Sequence, residues 1–247
     1  MLSSLLVASV LSQSPSALPE PVPFHWTPGV SAKVYDFKGD GTLIEITPTI
    51  VLPKVLKDVS ITLTLPIWSQ NADSVTTSGM SDIGINAETS LWNSNLFGGK
   101  FEWTGDVGIL IPLASNSEFA STSVTPIFGT TATLQWDKLS FSQDVDWTLI
   151  ANGSSWNALL NSQVDAEWLN GKTALRYQFA DSLSAGVAFD EQWVTTGEWT
   201  VLVGPEAKWS PFTNWELSAG IGFPVYQNTG TYDEVNTVVQ CGLSVGF

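Results

Sequence analysis

The chain is 247 residues long, room for one large domain or two small ones. Its 24 acidic residues against 9 basic ones give a net charge of −15, which argues against nucleic acid and anionic membrane surfaces as partners. Charged residues make up only 13%, about half the share of an ordinary soluble domain; the single cysteine excludes an internal disulfide framework; and no run of about 18 apolar residues could cross a bilayer as a helix.

Met1–Ala17 reads as a secretory signal peptide, a short apolar run followed by small residues, with cleavage expected near Ser14–Ala17. Residues 18–30 hold four prolines and are expected to form an extended leader outside the folded body. From Ser31 onward the pattern becomes strands punctuated by turns. Ser31–Lys38 is a short first strand closed by Gly39-Asp40-Gly41. Thr42–Pro53 alternates Ile44, Ile46 and Ile50 with Glu45, Thr47 and Thr49. In Asp58–Trp68, Val59, Ile61, Leu63, Leu65 and Ile67 share a face, and a polar loop is expected over Ser69–Ser78.

Met80–Trp92, Gly99–Leu113, Thr122–Trp136 and Leu139–Ile150 repeat the two-residue period, each with one apolar and one polar face. Ala151–Ser162 reads as a loop. Gln163–Phe179 changes phase near Asn170-Gly171-Lys172, which admits either a hairpin turn or a bulge within one strand. Leu183–Trp193, Trp199–Trp209, Asn214–Tyr226 and a terminal strand complete the chain. Bacterial single-chain barrels have an even strand number, short periplasmic turns and longer outer loops. Taking Gln163–Phe179 as one bulged strand satisfies all three conditions and gives about twelve strands. The expected fold is therefore all-β, a closed antiparallel transmembrane β-barrel over residues 31–247.

Tryptophans at expected strand ends, namely Trp68, Trp92, Trp136, Trp168, Trp193, Trp199, Trp209 and Trp215, fit aromatic girdles at the two membrane interfaces. A soluble β-sandwich would instead bury them in its core. The last strand places Val239, Cys241, Leu243, Val245 and the final Phe247 on one apolar face. It resembles the closing strand of outer-membrane barrels, which in that class is the signal read by the barrel-assembly machinery.

A more specific resemblance rests on Leu-Thr-Leu-Pro-Ile-Trp (Leu63–Trp68), Ser-Gly-Met-Ser-Asp-Ile-Gly-Ile-Asn-Ala (Ser78–Ala87), Gly-Ile-Leu-Ile-Pro-Leu (Gly108–Leu113) and Ala-Leu-Arg-Tyr-Gln-Phe (Ala174–Phe179). In this order they resemble the "MetA-pathway of phenol degradation" outer-membrane barrels over about residues 40–247. The resemblance implies uptake of small, often aromatic or hydrophobic compounds, and brings no catalytic residues with it.

The residues themselves argue against catalysis. The one histidine, His25, precedes the barrel, so no strand offers the imidazole base that outer-membrane hydrolases use. No Cys, His or carboxylate set has metal-ligand spacing, and no cofactor is expected. The alternation directs Glu45, Asp82, Glu88, Glu102, Asp106, Asp144, Asp146, Asp165, Glu167, Asp190, Glu206 and Glu216 inward, opposed chiefly by Arg176 and Lys208. Charge on the lipid face is costly, so inward placement follows from stability alone. The excess of acids over bases does not. It points to a lumen that favours cations or neutral solutes, with outer-membrane lipid outside and a small-molecule solute inside. A non-conducting structural or surface-interaction barrel, its lumen filled by ion-paired side chains, is the alternative.

Overall fold

The computed structural model describes residues 26–246 apart from 40, 57, 73–74 and 114–117. The signal-peptide reading, most of the leader and Phe247 lie outside the described residues. Sixteen β-strands form, β1 (Thr27–Phe37), β2 (Gly41–Leu56), β3 (Val59–Thr64), β4 (Ile67–Ala72), β5 (Val75–Met80), β6 (Ile83–Leu96), β7 (Gly99–Ile111), β8 (Thr125–Trp136), β9 (Leu139–Thr148), β10 (Ser155–Asn157), β11 (Ser162–Val164), β12 (Trp168–Ala180), β13 (Leu183–Val194), β14 (Trp199–Trp209), β15 (Trp215–Asn228) and β16 (Val235–Val245).

Fourteen of them make one antiparallel sheet, and β1 pairs along its length with both β2 and β16, so the sheet has no free edge there. β3 and β4 both pair with β2, and β6 and β5 pair with β3 and β4 in turn. Each couple is thus one barrel strand with a break in it, and the barrel has twelve. The breaks have a local cause. Pro48 and Pro66 lack an N–H and cannot complete the ladder, and their carbonyls accept instead from Leu65 N (3.1 Å) and Ser81 N (2.9 Å).

Four corrections to the sequence reading follow. Residues 27–30 of the expected leader already belong to β1. The expected polar loop after Trp68 is a continuing hairpin, paired from Ile67↔Met80 to Ala72↔Val75. Gln163–Phe179 is not one bulged strand: Ser162–Val164 pairs with Ser155–Asn157 in a separate small hairpin, and β12 runs without a register break through Asn170-Gly171-Lys172. The apparent change of phase comes from Trp168, whose side chain faces inward with Lys172 and Arg176 while Leu175 and Tyr177 face outward on the same unbroken strand. The strand total was right because the hairpin lies outside the barrel wall.

The two-residue turns 97–98, 137–138 and 181–182 lie at the end that also carries Thr27 and Val245. Phe97 and Gly98 both have positive φ (51° and 78°), the backbone a tight antiparallel hairpin needs. The long connections 112–124 and 149–167 lie at the opposite end. By the rule that short turns face the periplasm, this is the extracellular end.

Side chains sort by parity as expected. Ile44, Ile46, Ile109, Phe128, Phe141, Trp147, Leu175, Phe189, Phe223 and Val239 are exposed on the outer wall. Trp92, Trp193, Trp199, Trp209 and Trp215 are exposed near strand ends, in girdle positions. Trp68 and Trp168 depart from that reading: each is only 5% exposed and points into the barrel. Only hydrocarbon solvates such an outer wall. Val107→Arg, at a mid-strand outward position, should therefore lower unfolding free energy in lipid vesicles by about 2–4 kcal/mol in a urea titration. The same change at exposed loop residue Thr195 should cost almost nothing.

Candidate functional site

Inside the barrel the extracellular end is closed by an aromatic cover. Tyr35, Phe37, Leu43, Trp68, Leu202, Val235 and Val238 project inward from the wall, and Phe119 from the 112–124 connection packs against them with Trp156 of β10. Phe119 meets Trp156 edge-on at 4.9 Å between ring centroids, and Trp68 lies 6.2 Å from Trp156. A second cluster, Leu160, Val164, Trp168 and Val194, seats the hairpin on the opposite wall. Tyr232 packs against it from the last outer loop. Burial, with the negative charges of Glu198 and Asp165, raises its hydroxyl above the usual phenol range, so the ring docks as a neutral group.

Polar bonds fix the cover to the wall. Asp82 Oδ1 accepts from Ser121 N at 2.8 Å, and Oδ2 accepts from the Ser121 hydroxyl. Ser81 Oγ donates to Phe119 O at 2.6 Å, and Ser121 Oγ shares a hydrogen with Ser155 Oγ at 2.6 Å. Gln163 Nε2 donates to Glu118 O (2.7 Å) and Ala120 O (2.9 Å), lacing the hairpin to the connection. Asp82, expected to line the lumen, is 2% exposed and serves as this anchor instead. Asp165 and Glu167 do not face the lumen either: they sit on the connector between β11 and β12, and Glu167 O accepts from Thr195 N across the outer loops.

The remaining acids face inward, in two environments. On β6–β9, Glu88 and Asp106 are register partners, and Asp106 and Asp146 both pair with Gly129. A side chain at Gly129 would meet an oxygen of each carboxylate at 2.3 Å, so the two acids close over the bare glycine. Asp144 accepts from Thr131 Oγ1 at 2.7 Å. No ion pair involves these four acids among the described residues.

On the adjoining wall, β12–β15, Glu206 is held by Lys172 (3.1 Å) and Arg176 (2.5 Å), Lys172 lies 3.7 Å from Asp190, and Lys208 meets Glu216 at 3.0 Å. Glu45 accepts from Thr47 Oγ1 (2.5 Å) and Tyr35 OH (3.3 Å). Glu102 faces inward on β7, opposite Thr133. The sequence reading missed three inward bases. Lys172 stood where the phase was thought to slip, and Lys33 and Lys100 share inward parity with Tyr35 and Glu102.

Cavities line up along the barrel axis. A chamber of about 410 Å³ lies directly beneath the cover. It shares Lys33, Lys172 and Gln240 with a cavity of about 310 Å³, which shares Arg176 and Lys208 with one of about 240 Å³ at the periplasmic end. Above the cover a mouth of about 640 Å³ opens outward, and it has only Trp156 in common with the chamber.

A closed antiparallel barrel with a lipid-compatible exterior and a charged, cavity-bearing interior is a transmembrane β-barrel of the bacterial outer membrane. A protein-family model described as "Putative MetA-pathway of phenol degradation" matches residues 12–235, and the chain belongs to that family. Among solved structures, an outer membrane channel from Pseudomonas putida F1 aligns with TM-score 0.65 at 11% identity, covering 95% of this chain and all of that one. The NanC porin aligns with TM-score 0.56 at 9% identity over 88% of this chain and 98% of its own. No curated protein matches in sequence.

Proposed function

We propose that this protein is a passive outer-membrane channel for small solutes, including aromatic ones, with a net acidic lumen that favours cations and neutral molecules over anions. The observation that carries the reading is the row of three cavities from beneath the cover to the periplasmic end, linked through shared inward side chains. The family description and the channel and porin folds it resembles support the same reading. The carboxylates of β6–β9 supply fixed negative charge, while most of the facing bases are offset by their own acids. Uptake through such a path runs down the solute's own gradient and needs no energy source.

Planar-bilayer recordings under a potassium chloride gradient test this. The reversal potential should take the sign of cation preference; an anion-selective current would overturn the acidic-lumen reading. The apolar cover favours a second reading, a barrel closed to solutes whose outer loops contact a partner. Absence of any unitary current across the accessible voltage range would select it.

A further inference from the structure

The chamber beneath the cover is more than a segment of a water path. Its walls combine indole and phenol rings, Tyr35, Trp68, Trp156 and Trp168, with the inward carboxylates Glu45, Asp144, Asp146 and Asp190. The two chemistries are interleaved. Glu45 is the register partner of Trp68 and accepts from Tyr35 OH. Asp146 pairs with Asn170, one inward step below Trp168 on β12. Of the two lysines that line the chamber, Lys172 is committed to Glu206 and Asp190.

Buried polar groups normally find partners. Here Trp68 Nε1, Trp156 Nε1, Asn157 Nδ2 and Gln192 Oε1 belong to residues that line the chamber, are shielded from solvent and have none. Three unused donors and one unused acceptor thus stand in the walls of an aromatic-walled, acid-bearing space, where a bound polar solute that turns these side chains would complete them.

We infer that this chamber is a binding site for a small aromatic organic cation, a protonated arylalkylamine by chemical class. This rests on the channel reading above and names the solute its inner chamber selects. The ring packs among the indoles, and the ammonium group lies between aromatic faces and carboxylates, attracted by both. Free Nε1 and Nδ2 donors and the Gln192 oxygen accommodate a ring hydroxyl. A volume of about 410 Å³ suits a one-ring molecule with a short side chain.

Phenethylamine, phenol, phenylacetate and methylamine separate the contributions of ring and charge. The full chain is titrated with each in lipid vesicles, with tryptophan fluorescence as the binding signal, and potassium current block is measured in parallel in planar bilayers. Phenethylamine should bind at least tenfold more tightly than each of the others. Glu45→Gln and Asp146→Asn should each weaken it at least fivefold, and the connector variant Asp165→Asn should leave it unchanged. Heat-dependent mobility on denaturing gels checks that each variant forms a barrel.

Equal affinity for phenol or methylamine, or indifference to both carboxylate variants, would overturn the site. The two proposals fail separately. A protein that conducts potassium without preferring the amine keeps the channel and loses the site. One that binds the amine yet never conducts keeps the site and loses the channel.

Discussion

Trp156→Ala should raise single-channel potassium conductance by roughly an order of magnitude, because a hydrophobic constriction resists ions chiefly by excluding water. Trp156 is the one residue common to the outer mouth and the inner chamber. Its ring packs edge-on against both Phe119 and Trp68, with centroids 4.9 and 6.2 Å away. Removing the indole joins the two spaces. Asp82→Ala should act on the same constriction by another route. It removes both bonds to Ser121, and so loosens the connection that carries Phe119, still tied by Ser81 and Gln163, without changing the aromatic side chains. Its expected signature is flicker between low and high conductance. Unchanged conductance in both variants would mean that ions bypass the cover.

How much of this was legible beforehand depends on which forces leave a trace in local sequence. A two-residue period with Ile44, Ile46 and Ile50 against Glu45 and Thr47 is a direct imprint of lipid on one side and water on the other. The barrel and its strand number could therefore be read from it. The cover left almost no such trace. Trp68 and Trp168 stand near strand ends, where an indole at the membrane interface and an indole turned inward look alike in sequence. Only the partners from 112–124 and the small hairpin, distant along the chain, decide between them. Lys172 was lost for a related reason. An inward Trp168 read as outward put it out of phase with Leu175 and Tyr177, and Asn170-Gly171-Lys172 looked like the turn that explained it. The ion pairs around Glu206 went with it, since a pair across strands is invisible until register is known.

Those ion pairs set up the other large expected effect. Glu206→Gln and Asp146→Asn each remove a carboxylate from the lumen, so both should move the reversal potential toward anions. Their effects on folding should have opposite signs. Glu206 is 8% exposed and sits between Lys172 and Arg176, the latter 19% exposed; neutralising it leaves Arg176 without its counter-charge and Lys172 with Asp190 alone. Breaking a largely buried pair in this way costs about 3 kcal/mol, and lumenal water near Lys172, at 30% exposure, trims that figure. Asp146 has no basic partner and shares the space over Gly129 with Asp106. Neutralising it relieves a like-charge contact worth about 1 kcal/mol in a water-screened setting. Urea unfolding in vesicles at neutral pH should therefore show Glu206→Gln less stable than the parent and Asp146→Asn equal to it or more stable. If the two variants lose stability alike, the division of the lumen into a paired wall and an unpaired acidic wall is wrong, whatever the reversal potentials show.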